Sequence, residues 1–495
     1  MGEKLTQRLA ALSPEQQKAF LSKLMERRTQ QSPEEVTGPV ILNANQQGHM
    51  WYTGKHLPLM HVMPSFWEMQ TDIHPQHLED AVKLLISYHD ELRACFVEGA
   101  TQWEWGQNIL PSSELNGAPW TIRIDISHLD AEGQWEYIQQ YYHQAMGLLD
   151  LFHGKLIHVA FFYRGEQETG RLLFITSRLI ADMLSLETLI DDLSTFYRAY
   201  SEGNTPRLAP KTTSMQEYGS RMSAFAHSQE GLQHIHALNE LRKTWPAPGT
   251  LTILPPDNPD GDFSWVKFGQ ITQEVSAETT ERLVAMQAKH HIQMNELLFT
   301  AYIVALQRRT KETVFPLRIP SFGRNTPFSD MDLSHTVGNF AFYLNEVFQI
   351  PEESSPAVAL QSVLTYWRKL PERDIASLVL SFYKGSEDID ASLDIIQPYD
   401  AKVEINYRGQ YNEEVETAGL GLQGMKSAPE VLPYPPGFSE YKSANTMKVV
   451  VMILFGKLHI TWQYGIELYQ ETTIEAFGQE MITVLEELSM LSHLS

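Results

Sequence analysis

The chain of 495 residues contains one cysteine, Cys95, so no disulfide can close within it and no cysteine-rich metal cluster can form. A lone cysteine fits a reducing compartment. Basic residues are scarce: 38 Lys and Arg stand against 61 Asp and Glu, a formal charge of −23. Phosphate backbones are held chiefly by Lys and Arg, so this balance argues against nucleic acid as a partner. No run approaches the roughly 20 apolar residues that a membrane-spanning helix needs. The first residues, MGEKLTQRLAALSPEQQ, lack the apolar stretch of a signal peptide. These absences lead to the expectation of a cytoplasmic protein without a membrane partner. Nucleophile elbows of the G-x-S-x-G type, P-loops and Rossmann glycine fingerprints are also missing.

What is present is enough to build sizeable cores. Apolar residues make up 43% and aromatics 11% of the chain. The length exceeds one ordinary core, which predicts two or three domains or one two-lobed unit. Residues 3–29 read as amphipathic helices, the second opened by Ser13, Pro14, Glu15 and Gln16 as N-cap, N1, N2 and N3. Gln30–Pro39 is polar and reads as a linker, so 1–39 is expected to be a helical linker or docking segment. From Val40 onward strands and helices alternate. Leu78, Ala81, Val82, Leu85 and Ile86 fall on one helical face within His77–His89. Strands are expected at Leu92–Val97, Leu156–Tyr163 and Arg171–Thr176. The stretch Trp245–Phe263 (WPAPGTLTILPPDNPDGDF) is rich in Pro, Gly and Asp, and places a crossover between lobes 40–245 and 246–495. In the second lobe strands are expected near Phe268–Val275, Glu404–Tyr407, Val449–Phe455 and Leu458–Tyr464. Helices are expected near Thr279–His290, Asn295–Arg308 and Thr473–Met490.

Residues Thr176–Tyr200 (TSRLIADMLSLETLIDDLSTFYRAY) hold the most informative segment, a strand end running into a helix with Asp182 at the cap position. The seven residues Ser177–Met183 resemble the H-H-x-x-x-D-G motif of nonribosomal peptide synthetase condensation domains. Further matches follow in family order. His89–Arg93 (HDELR) resembles H-x-x-L-R, and Pro210–Ser214 (PKTTS) resembles P-K-T-S-S. Asp332–Gly338 (DLSHTVG) resembles D-L-S-R-T-V-G, and Asn406–Gln410 (NYRGQ) resembles N-Y-L-G-Q. The last three point to the epimerization branch of that superfamily. From about residue 40 to the C-terminus, the resemblance implies an α/β (α+β) fold. It implies a two-lobed, V-shaped pseudo-dimer of chloramphenicol-acetyltransferase-like lobes around a central cleft.

The resemblance also shows what is gone. Ser177 and Arg178 stand where the family has its two histidines, Asp182 keeps the acid, and Met183 replaces the glycine. A guanidinium stays protonated and cannot serve as a general base. The E-G-H-G-R-E stretch of the epimerization branch is Pro320–Asn325 (PSFGRN), so the acid/base glutamate is Pro320. The heterocyclization set fails too: Ser177 replaces its leading Asp, and Asn339 and Ala341 replace the acid and hydroxyl of G-D-F-T. No catalytic set of the superfamily is intact. Arg93, Asp182 and Arg324 survive as structural motif residues, and Asp182 is expected to pair with Arg324, Arg93 or Arg178. Arg178 either neutralises a buried acid or stands in the former tunnel, where it would block a phosphopantetheine arm or hold an anion.

No metal site or bound cofactor is expected. His234 and His236 lie two apart on a helix and diverge; His74 and His77 lack a third ligand; His290–His291 lacks the motif context. Tyr343, Tyr383 and Tyr407 could bring hydroxyls to the cleft, with core packing the plainer reading. The expected function is a noncatalytic, interface-type domain. It would recruit a tailoring enzyme, an oxygenase or hydroxylase, to an aminoacyl or peptidyl chain on a peptidyl carrier protein beside neighbouring synthetase domains. The alternative is an active condensation or epimerization domain acting on phosphopantetheine-tethered substrates with non-standard residues.

Overall fold

In the computed structural model, the described residues are 35–43, 45–47, 62–69, 72–99, 105–114, 120–247, 251–261, 267–382, 401–411, 425–433 and 445–491. The helices expected at 3–29 and Tyr383 lie outside them. The first half runs β1 (Gly38–Val40), β2 (Val62–Met69), α1 (Pro75–Tyr88), β3 (Ala94–Val97), β4 (Gly106–Ile109), β5 (Thr121–Asp125), α2 (Ala131–Met146), β6 (Ile157–Tyr163), β7 (Gly170–Ser177), α3 (Met183–Ser201), α4 (Met215–Ala226) and α5 (Gln229–Arg242). The second runs β8 (Phe268–Val275), α6 (Ala277–His290), α7 (Met294–Thr310), β9 (Val314–Ser321), β10 (Phe342–Gln349), α8 (Pro356–Trp367), α9 (Arg373–Ser381), β11 (Val403–Tyr411), β12 (Met425–Ser427), β13 (Met447–Leu454), β14 (Lys457–Gly465) and α10 (Glu471–Ser489).

Each half is built around an open mixed sheet, and the two sheets share one motif. In the first, β5 lies parallel to β6, β6 and β7 form an antiparallel pair, and β7 pairs antiparallel with β2. In the second, β11, β13, β14 and β8 repeat those relations strand for strand. A helix follows each corresponding strand: α1 after β2 and α6 after β8, α3 after β7 and α10 after β14. The halves are thus topological copies, which no sequence repeat reveals. The chemistry-bearing segment, at the junction of β7 and α3, has its counterpart in the unremarkable β14–α10 junction.

Local sequence explains the elements that position the site. Every residue of β7 is buried, as its apolar run requires for an inner strand covered on both faces. Leu78, Ala81, Val82, Leu85 and Ile86 form the buried stripe of α1, which packs against α3. Instead of one strand over Leu92–Val97, a 3₁₀ turn spans Asp90–Arg93 before β3 begins at Ala94. That turn holds Arg93 fully buried.

The expected boundaries need two adjustments. Gly38–Val40 forms β1, paired antiparallel with β4, so a strand begins within the segment expected as linker. A crossing strand also mixes the halves. β12, from the second half, pairs antiparallel with the edge of β2, Met425 opposite Met69 and Ser427 opposite Trp67. Arg171 of β7 clasps Glu430 just beyond it through two hydrogen bonds of 2.9 and 2.8 Å. The traffic runs both ways, because Leu333, Val337 and Phe340 of the second half are buried in the apolar core of the first.

His158 of β6 is buried, hydrogen-bonded to the Tyr141 hydroxyl at 2.8 Å, and its Nδ1 has no partner. Burial, with Lys155 adding to it, pulls its pKa down from 6.5 to about 4. The unfolded chain takes up a proton here below pH 6.5 while the folded protein does not. Stability present above pH 6.5 is therefore lost as pH falls toward 4, by up to about 3 kcal/mol. His158→Phe should flatten the acid limb of a melting temperature–pH curve. An unchanged slope would mean the imidazole protonates in place.

Candidate functional site at the junction of the halves

Asp182 caps α3, its Oδ1 accepting from the Ser185 amide at 2.8 Å. The same oxygen accepts from Arg324 Nη2 at 3.2 Å, and Oδ2 accepts from the Phe340 amide at 3.1 Å. Of the three arginines open to it, Asp182 takes Arg324. Arg93 lies elsewhere, bonded to Asp90 at 2.6 Å and to the Val36 carbonyl at 3.2 Å. Arg324 Nη1 donates to the carbonyls of Leu333 and Thr336 at 2.7 and 2.8 Å, and its guanidinium stacks on Phe340 at 4.4 Å. Ser185 completes the joint: its hydroxyl donates to the Gly338 carbonyl at 2.7 Å and accepts from the Gly338 amide at 3.0 Å. Gly323, just before Arg324, has φ +66, and a Cβ there would lie 1.9 Å from the Phe340 carbonyl oxygen. Only glycine lets the two backbones meet so closely.

The residues at the former catalytic positions behave differently from one another. Ser177 is buried at the end of β7, its hydroxyl accepting from the Leu179 amide at 3.2 Å. Arg178 has a solvent-accessible side chain that forms no ion pair or hydrogen bond with any described residue, so no buried acid among the described residues is neutralised by it. Partial enclosure by the surrounding protein lowers its pKa, and the nearby Tyr343 opposes that shift. Met183, the first residue of α3, is 54% exposed. Pro320 lies in β9 opposite Tyr343 of β10. Proline has no titratable group, so the site offers no carboxylate at that register.

Tyr343 gathers the charge. Arg318 stacks on its ring at 4.1 Å. Burial and the buried Glu404 raise the pKa of its hydroxyl, while Arg318, Arg178 and Arg408 pull the other way. A protein of charge −23 thus collects three arginines around one tyrosine. Glu404 is itself engaged by Lys448 at 3.2 Å. Tyr407 is half-buried on β11 beside the apolar core.

Asn339, which reads in the sequence as a lost acid, ties the motif segment to the stretch after β1. Its side-chain amide donates to the Arg178 carbonyl at 2.6 Å and accepts from Asn45 at 2.6 Å, while its backbone carbonyl accepts from Asn43 at 2.8 Å. Gln46 joins the net by donating to the Leu179 carbonyl at 2.9 Å and to Gln107 at 2.7 Å. Sequence reasoning missed Asn43, Asn45 and Gln46, whose one signal is a polar cluster directly after β1.

The histidine pairs stay apart from this site. His290 ends α6 and His291 is its left-handed cap, φ 54. His234 lies 3.8 Å from Glu372 and against the Phe225 ring, and His74 stacks on His77. A cavity of about 490 Å³ lies away from the motif, against β10 and α8, lined by Val347, Gln349, Val358, Gln361 and Thr365. Its walls carry Tyr366 and Lys369 but no carboxylate or imidazole. Among the described residues no helix is long and apolar enough to cross a membrane.

Comparison with known proteins supplies the context. The condensation domain model matches residues 36–494. A linear gramicidin synthase polypeptide of Brevibacillus parabrevis is 25% identical over 477 residues, covering 92% of this chain and 6% of that protein. Chondramide synthase of Chondromyces crocatus is 28% identical over 415 residues, covering 83% of this chain and 10% of that protein. The chain therefore spans a small fraction of such relatives. The solved epimerization domain from the third module of tyrocidine synthetase B is 20% identical, with a TM-score of 0.77 over 93% of this chain and 98% of that one. A complex of the X-domain and OxyB from teicoplanin biosynthesis gives 16% identity and a TM-score of 0.66, over 93% and 94% of the two chains.

Proposed function

The chain belongs to the condensation-domain family of nonribosomal peptide synthesis, and from that premise we propose that it is an interface domain and not a catalyst. It would hold a carrier-bound aminoacyl or peptidyl chain while a tailoring enzyme, an oxygenase or hydroxylase, acts on it. The observation that carries this reading is the replacement of both proton-transfer positions. Arg178 stands where the family histidine would be, and Pro320 stands where the epimerization glutamate would be. Removing a Cα proton needs a base, and guanidinium and proline supply none. The cationic surround of Tyr343 by Arg178, Arg318 and Arg408 suits the phosphate of a phosphopantetheine arm, since guanidinium pairs well with phosphate oxygens. The partner half of the proposal draws support from the fold shared with an X-domain that was solved in complex with OxyB.

The test uses the whole chain and an aminoacyl-loaded carrier protein. Calorimetry should show binding, and hydrolysis followed by chiral analysis should show the amino acid unchanged in configuration and unacylated. Arg178→Ala should weaken carrier binding by roughly 10-fold, the scale of one charge-assisted contact to phosphate. Stereochemical inversion or acyl transfer that disappears on mutating Ser177 or Arg178, in variants that keep the parent melting temperature, would establish the catalytic alternative instead.

A further inference from the structure

His89, Asp192 and His335 meet further along α3 from the Asp182 joint, although they are far apart in sequence. His89 follows α1, Asp192 lies on α3, and His335 comes from the second-half segment that enters the first core. One carboxylate oxygen, Asp192 Oδ2, accepts from His89 Nε2 at 2.8 Å and from His335 Nε2 at 2.9 Å. All three candidate ligand atoms lie within 4.8 Å of one another. Tetrahedral zinc with bonds of about 2.0–2.1 Å sets its ligand atoms about 3.3 Å apart, so shifts of about an ångström would seat the ion.

The surroundings favour a cation. Asp90 acts on His89, and Asp191 and Asp332 act on His335, each through its negative charge. Lys211, the nearest ammonium lining this pocket, is held by Asp90 at 2.6 Å. A cavity of about 40 Å³, lined by both histidines, Lys211, Thr212 and Val337, gives access. That volume is enough for a water at a fourth coordination position. Two imidazoles and one carboxylate are a donor set of intermediate softness, which suits zinc better than magnesium or calcium.

We propose that His89, Asp192 and His335 form a zinc-binding site that cross-links the two halves, with water as the fourth ligand. Binding replaces the two hydrogen bonds at Asp192 Oδ2 by metal bonds; each Nε2 proton moves to Nδ1 of its own ring, or to solvent where the ring was cationic, and the freed Nε2 lone pair binds the ion. The site would draw the Asp332–Gly338 segment against α1 and α3. Its effect is to fix one half against the other.

Cobalt(II) titration of the metal-free full chain tests this, because tetrahedral cobalt absorbs visibly and zinc should displace it. The expected result is one equivalent bound, a zinc-dependent rise in melting temperature, and reversal by a chelator. His335→Gln is the informative variant, since His335 is partly exposed at the surface of the cluster and its loss should not unfold the protein. It should weaken zinc at least about 10-fold while leaving the metal-free melting temperature close to that of the parent. Asp192→Asn, which keeps an oxygen for one imidazole, should do the same and serves if His335→Gln proves unstable. No binding by the parent chain overturns the proposal, as does an equal affinity and thermal shift in the parent and both variants.

Discussion

Asp182→Ala should lower stability by about 3–5 kcal/mol, the cost of removing one partner of a buried ion pair. The substitution strips three donors at once. The Ser185 amide loses its cap, the Phe340 amide loses its acceptor, and Arg324 loses its counter-charge. Arg324 would keep its two carbonyl bonds, to Leu333 and Thr336, but would hold an uncompensated charge against the first-half core. Asp182→Asn retains an oxygen for the cap and should cost less. Denaturant unfolding of the three proteins measures the series. A folded Asp182→Ala with an unchanged midpoint would show that Asp182 does not hold the halves together.

A second large effect is expected in the other core. Arg373 donates to Glu346 at 2.8 Å, with the two side chains only 2% and 3% exposed. Tyr366 also donates to that carboxylate. Arg373 reaches the Trp367 carbonyl and stacks on the Trp367 ring at 4.0 Å, tying α8 to α9. Burial raises the pKa of Glu346, and Arg373 is the first group that opposes it. Arg373→Met should therefore cost about 3–5 kcal/mol at neutral pH. The loss should shrink on acidification, because a protonated Glu346 needs no counter-ion. Adding Glu346→Gln to Arg373→Met should recover part of the stability, and a double-mutant cycle reads the coupling. Strictly additive losses would mean that the pair contributes no mutual energy.

Some of this was legible in the sequence because the determinants are local. The apolar runs of β6 and β7, the cap at Asp182 and the periodicity of α1 each follow from neighbouring residues. The ordered family motifs carried the fold, and Asp182 and Arg324 were both visible as surviving positions. What the sequence hid is tertiary. His89, Asp192 and His335 converge only when the second half enters the first core, and no spacing rule relates residues from three separate elements. Asn339 looked like a lost acid and proves to be a hydrogen-bonding hub. Arg178 had a plausible salt-bridge role, yet the acid nearest in sequence is already committed to Arg324. β1 and β12 escaped because each is three residues long. Such strands owe their existence to a partner edge and not to their own propensity.

The pairing of β12 with β2 fixes how the molecule can be divided. A polypeptide that stops at residue 247 would lack β12, and the backbone amides and carbonyls of Trp67–Met69 would lie bare along an open edge. Such an edge is a template for joining other chains, so the isolated first half is expected to self-associate on release from the rest. Within the intact protein the three residues of β12 cover that edge. Peeling this ribbon from β2 would expose the edge and strain the neighbouring Arg171–Glu430 clasp. Cover for the edge of the first sheet therefore comes from the second half of the sequence, and the first half is expected to stay monomeric only when that ribbon is supplied.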